Sequence, residues 1–89
     1  MKTLILIDEK DNVATVLVDL AEGSEIKIEN YNIILKENIP FGHKVALKDI
    51  EVNEKVFKYG EPIGSAIKTI QAGSWVHEHN FESIRGLGR

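Results

Sequence analysis

Three stretches decide the fold: VDLAEGSEI at residues 18–26, KDIEVNEKV at 48–56 and KTIQAGSWV at 68–76. They superpose without gaps. Each carries an apolar residue (Leu20, Ile50, Ile70), then, three positions later, a residue that tolerates positive φ (Gly23, Asn53, Gly73). Three positions further comes another aliphatic (Ile26, Val56, Val76). The physical unit is an apolar anchor, a tight turn and a strand entering the core. The copies stand 30 and then 20 residues apart (18 to 48, 48 to 68). That spacing rules out a solenoid of fixed period and reads as one turn device used three times.

The rest of the chain agrees with this reading. Short Ile- and Val-rich runs, such as Leu4 to Ile7, Ile33 to Leu35 and Val56 to Tyr59, are broken by Gly, Asn, Asp or Pro. EIKIEN (25–30) alternates apolar and polar, as a half-buried strand does. YGEPIGSA (59–66) carries a hairpin signal between two apolar runs. DNVATVLVDLA (11–21) comes nearest to a helical period, so a helical turn there stays open. The expected class is all-β, made of short strands folded back on one another.

Composition bounds what such a domain does. The chain has 89 residues, 43% hydrophobic and 28% charged, which suits one small domain over 1–89 with a Gly-rich tail at about 82–89. So small a core encloses no large substrate pocket, and a catalytic role calls for a partner. A net charge of −3 with interspersed signs predicts no nucleic-acid partner. No apolar run is long enough to span a membrane, so no membrane association is expected. The absence of cysteine removes thiol chemistry and fits a reducing cytoplasm.

Two segments carry candidate chemistry. In GSWVHEHN (73–80), a strand would put Trp75, His77 and His79 on one face. Two imidazoles so placed reach one divalent metal if a third ligand exists. The plain alternative is a solvated strand end. In GHK (42–44), a glycine turns the backbone and leaves His43 and Lys44 at a loop rim. His43 then serves as acid, base or ligand, or the segment is simply a surface turn. Trp75 reads as packing, Tyr59 as packed with its hydroxyl on a partner, and Asp8, Glu9, Asp11, Glu22 and Glu25 as solvated turn residues.

From Ile39 to Ser83 the residues also resemble a known family. Gly42, His43, Lys44, Ala46 and Leu47, then Lys58, Tyr59, Gly60, Ile63, Gly64 and Ala66, then Ile70, Gly73, Val76, His77, His79 and Asn80 match in order the N-terminal SAF domain of the altronate dehydratase family of sugar-acid dehydratases. The front half is similar too, and the closing SIRGLGR departs from the family pattern at Leu87. The resemblance implies a β-clip fold, a long hairpin folded over itself. It implies a hydro-lyase converting an aldonate to a 2-keto-3-deoxy acid, with this chain as small subunit or N-terminal domain. It implies a large catalytic dehydratase subunit as partner and a divalent metal, Fe²⁺ or Mn²⁺, held mostly there. On that basis His43 and Lys44 are expected in catalysis, Lys44, Asn80 and Arg85 in binding the sugar acid, and His77 and His79 at the metal. The rival expectations are a non-catalytic docking or binding module and a homo-oligomeric metal-binding β protein.

Overall fold

The computed structural model describes residues 3–83. Nine strands follow one another: β1 (Leu4–Ile5), β2 (Val13–Val16), β3 (Glu25–Ile28), β4 (Tyr31–Ile34), β5 (Lys44–Ala46), β6 (Lys55–Lys58), β7 (Glu61–Ala66), β8 (Trp75–Val76) and β9 (Phe81–Ser83). No helix occurs among the described residues. The chain is all-β, as its short branched runs predict. The helical turn left open within residues 11–21 is not formed. Val13, Thr15 and Val16 are β-branched, and β1 and β5 pair with them from either side.

All pairings are antiparallel. The central sheet runs β1-β2-β5-β8, flanked by the hairpin β3-β4 and by the sheet β6-β7-β9. The central sheet is buried on both faces. Ala14, Val16, Val45 and Leu47 join Ile26, Ile33 and Leu35 on one side. Val13, Ala46 and Val76 join Val56, Ala66, Ile70 and Phe81 on the other. This two-sided burial explains why Val13 and Ala14 in β2, and Val45 to Leu47 at β5, are consecutive apolar residues rather than alternating ones.

The turn device occurs four times, not three. The fourth copy is ENIPFGHKV at 37–45, with Ile39, Gly42 and Val45 in the three key places. Its middle residue has φ 85°, beside 88° at Gly23, 74° at Asn53 and 91° at Gly73. The copies pair reciprocally. The Leu20 N–H donates to the Ile39 carbonyl at 2.9 Å, and Ile39 returns the bond at 2.8 Å. Ile50 and Ile70 exchange the same two bonds at 2.8 Å each. The residue before three of the four anchors adds a side-chain clasp: Asp19 accepts the Phe41 N–H, Asn38 the Glu22 N–H and Asp49 the Ala72 N–H. Thr69 holds the fourth such place and makes no matching bond to Val52.

Asp11 and Asn12 tie the front of the chain to the β6-β7 hairpin. The Asp11 carboxylate is buried, which corrects its reading as a solvated turn residue. It accepts the N–H groups of Tyr59 (3.0 Å), Gly60 (2.8 Å) and Asp8 (3.2 Å). Tyr59 and Gly60 both have positive φ, the geometry of a two-residue hairpin loop, and the carboxylate satisfies the amides that loop turns inward. The Tyr59 side chain itself is exposed, not packed as its sequence suggested. The Asn12 amide accepts the Phe57 N–H and donates to the Lys55 carbonyl, spanning the register shift between Val56 and Phe57.

Of the tail expected at about 82–89, Glu82 and Ser83 belong to β9. Arg85 and Leu87 lie outside the described residues.

Two outcomes follow for urea unfolding. A Cβ at Gly73 would run into the Ile34 carbonyl oxygen, while one at Gly23 meets open space. Both positions have positive φ. Gly23→Ala is expected to cost about 1 kcal/mol and Gly73→Ala about 3 kcal/mol or more. Thr69→Asp supplies the missing clasp to the Val52 N–H and is expected to add about 0.5–1.5 kcal/mol.

Candidate functional site

The pairing of β5 with β8 builds the site. Val45 lies opposite Trp75 and Lys44 opposite Val76. One step further along the same register brings His43 opposite His77. The two imidazole centroids are 5.4 Å apart. Trp75 packs into the same group, 5.2 Å from His43 edge-on and 5.0 Å from His77. His79 meets the indole at 6.0 Å. The structure therefore brings together the two histidine segments, 43 and 77–79, around a tryptophan. His43, Trp75 and His77 are half-buried, and His79 is exposed.

The local path differs from the expected strand. Only Trp75–Val76 is strand, and residues 77–80 form a turn. The reason is Asn80. Its Oδ1 accepts the His77 N–H at 3.0 Å and its Nδ2 donates to the Trp75 carbonyl at 2.8 Å, while its own N–H returns to the His77 carbonyl. A local side-chain partner outcompetes a ladder here. Asn80 is buried, and its amide holds the histidine turn in place. On the other side of Trp75, the Glu37 carboxylate accepts the Trp75 N–H at 2.9 Å. The indole N–H in turn donates to His43 Nδ1 at 3.2 Å.

Trp75 and Glu37 are the site residues that sequence reasoning undervalued. Trp75 shares the i, i+2 spacing with His77 and so was partly visible. The Glu37 contact spans 38 residues and leaves no local signal.

Lys44 lies on the opposite face of β5 from His43. Its ammonium sits 5.8 Å from the Phe81 ring centroid. Burial, and secondarily the ammonium of Lys58, hold its pKa below the ordinary lysine value. It makes no ion pair among the described residues. It opens onto a groove of about 530 Å³ lined by Ile67, His77, Glu78, Phe81, Glu82 and Ser83. His77 therefore borders both the aromatic group and the lysine groove. An acceptor-poor ammonium, partly desolvated and beside an imidazole, suits a carboxylate ligand.

The fit to a metal is incomplete. No group of three or more His, Asp or Glu side chains among the described residues is placed to hold an ion. His77 and His79 supply at most part of a ligand set. No helix among the described residues is long and apolar enough to cross a membrane.

Several known proteins are similar to this chain. The family model described as the altronate/galactarate dehydratase SAF domain matches residues 2–84. The chain is 49% identical over 76 residues to an altronate dehydratase of Escherichia coli K12, covering 85% of this chain and 15% of that protein. It is 40% identical over 83 residues to an altronate dehydratase of Bacillus subtilis 168, covering 93% of this chain and 17% of that one. A (2R)-sulfolactate sulfo-lyase subunit alpha of Chromohalobacter salexigens is 31% identical over 88 residues, with 91% of this chain and 94% of that subunit covered. The chain thus spans about a sixth of the dehydratases it matches and nearly all of the lyase subunit.

Lys44 gives a stability test with a defined sign. Its folded pKa is lowered. The cost of its charge is therefore complete below the folded pKa and vanishes above the unfolded one. Lys44→Met is expected to raise the urea midpoint near pH 7, with the gain shrinking at about pH 10 and above, where the unfolded lysine loses its proton. Chemical unfolding at the two pH values measures it.

Proposed function

Because this chain belongs to the altronate/galactarate dehydratase SAF-domain family, we propose that it is the small, non-self-sufficient part of an altronate-type hydro-lyase. It lends polar residues to a site completed by a larger catalytic domain or subunit. Two lengths of relative support the arrangement. The same unit occurs as a fraction of long dehydratases and as most of a protein named as a subunit. The observation that carries the reading is His77, set between the His43–Trp75 pair and the Lys44 groove.

The reaction removes a proton α to the carboxylate and the β-hydroxyl as water, giving a 2-keto-3-deoxy acid after the enol rearranges. The α-proton is weakly acidic, so negative charge building on the carboxylate needs a counter-charge. Lys44 supplies it as an ammonium held ready, and binding the carboxylate offsets the desolvation that Lys44 bears alone. His77, at the edge of the same groove, is assigned to proton transfer. His43 and His79 complete the polar rim. Asn80 is assigned a positioning part, since its amide is committed to the turn, and Arg85 keeps its assignment to sugar-acid binding.

The Fe²⁺ or Mn²⁺ is assigned to the catalytic partner, because no trio of ligands exists among the described residues. Such an ion would supply Lewis-acid help to the enediolate. Altronate, galactarate and sulfolactate, which name the relatives, are all hydroxycarboxylates. The carboxylate is therefore the substrate feature this domain is proposed to read. A cytoplasmic setting goes with this metabolic role.

Mixing the chain with its catalytic partner and an aldonate tests the proposal. His77→Ala and Lys44→Met are each expected to lower kcat/KM by at least about tenfold, or about 1.4 kcal/mol, with subunit association unchanged. Full turnover after changing His43, Lys44, His77 and His79 together would leave only a docking role.

A further inference from the structure

We propose that Trp75 is a positioning residue that sets the tautomer of His43, so that His43 meets the ligand as a hydrogen-bond donor through Nε2–H. The geometry is direct. The indole Nε1 lies 3.2 Å from His43 Nδ1, with the two rings near perpendicular at 81°. An indole nitrogen only donates. His43 Nδ1 must therefore be the acceptor, and an acceptor nitrogen carries no proton. An imidazolium has no acceptor at all, so the bond belongs to the neutral ring, whose one proton then sits on Nε2.

Each function open to His43 is narrowed by this. A metal ligand needs a bare ring nitrogen, and the bare one is already engaged by the indole. A general base needs the same lone pair. What remains is an N–H donor, and its complement is an oxygen lone pair: a carboxylate or hydroxyl of the hydroxy acid. The indole itself is held from both sides of its backbone, by Glu37 on the N–H and Asn80 on the carbonyl. The donor that sets the tautomer is therefore built into the framework. His77, by contrast, has neither ring nitrogen claimed by a hydrogen bond among the described residues. The assignment of the Nε2–H to substrate rests on the proposed function. The tautomer does not.

Two measurements separate the claims. Long-range ¹H–¹⁵N correlation of the histidine rings in the full 89-residue chain, at about pH 8 where a free imidazole is neutral, reads the tautomer without any activity. The expected pattern for His43 is a pyridine-type Nδ1 and a pyrrole-type Nε2. Trp75→Phe, which keeps a ring and removes the donor, is expected to move His43 towards exchange-averaged nitrogens. A proton on Nδ1, or averaged nitrogens in the unaltered chain, overturns the tautomer even if the variant does not fold. In the reconstituted enzyme, His43→Gln retains an N–H donor near the Nε2 position. It is expected to keep activity within about tenfold, and His43→Ala to lose at least about a further tenfold. Equal loss in both overturns the donor role. An inactive reconstitution with the expected ring pattern counts against the dehydratase reading and leaves the tautomer standing.

Discussion

Two reciprocal pairs of main-chain hydrogen bonds hold this domain in shape, one between Leu20 and Ile39 and one between Ile50 and Ile70. Each pair joins two copies of one turn, back to back. The bonds would be weak in water. They are effective here because Ile39, Ile50 and Ile70 are almost completely buried, and a buried peptide group left unpaired costs more than a made bond contributes. The pairing also aims the chain. Within each pair, the positive-φ residue of one copy donates to the carbonyl of the residue four before the partner's anchor: Gly23 to Leu35, Gly42 to Val16, Asn53 to Ala66, Gly73 to Ala46. Strands β3, β5, β6 and β8 each start just after one of these junctions.

The candidate site is a product of that arrangement. Copies one and two flank the β3-β4 hairpin, and copies three and four flank β6-β7. Strand β5 leaves copy two and leads to copy three, so both halves of the molecule use it. His43 stands where copy two turns into β5, and Trp75 where copy four turns into β8. Antiparallel pairing of those two exits makes histidine, tryptophan and histidine neighbours. Among the described residues, the outer edge of β8 has no further strand beside Trp75. Glu37 and Asn80 take up the Trp75 backbone groups instead, which closes an edge that would otherwise invite pairing with another chain.

Much of the fold was legible because it rests on spacing. Anchor, turn residue and aliphatic recur at three-residue steps, and three copies show it plainly. The fourth hides because Pro40 and Phe41 stand where each other copy has one polar residue (Glu22, Glu51, Gln71), although Ile39, Gly42 and Val45 keep the spacing. Which copies pair is a tertiary matter and has no local mark. Asp11 reads as a solvated loop carboxylate because its donors, Tyr59 and Gly60, lie 48 and 49 residues away. The meeting of His43 with His77 follows from the β5–β8 register, which no stretch of sequence contains. Asn80 was visible as a site residue, but its capture of the His77 and Trp75 backbone groups, which turns the expected strand into a loop, depends on a rotamer rather than a pattern.

Using one turn four times has a kinetic side. Any copy meeting the wrong sibling would find the same backbone donors and acceptors waiting. Copies two and three are closest along the chain, with anchors at Ile39 and Ile50. They are kept from each other by β5, which as an extended strand of three residues holds their ends about 10 Å apart. The true partners are each linked by a hairpin that folds back and delivers them together. An extended spacer and two hairpin returns thus do the sorting that four similar turns could not do for themselves.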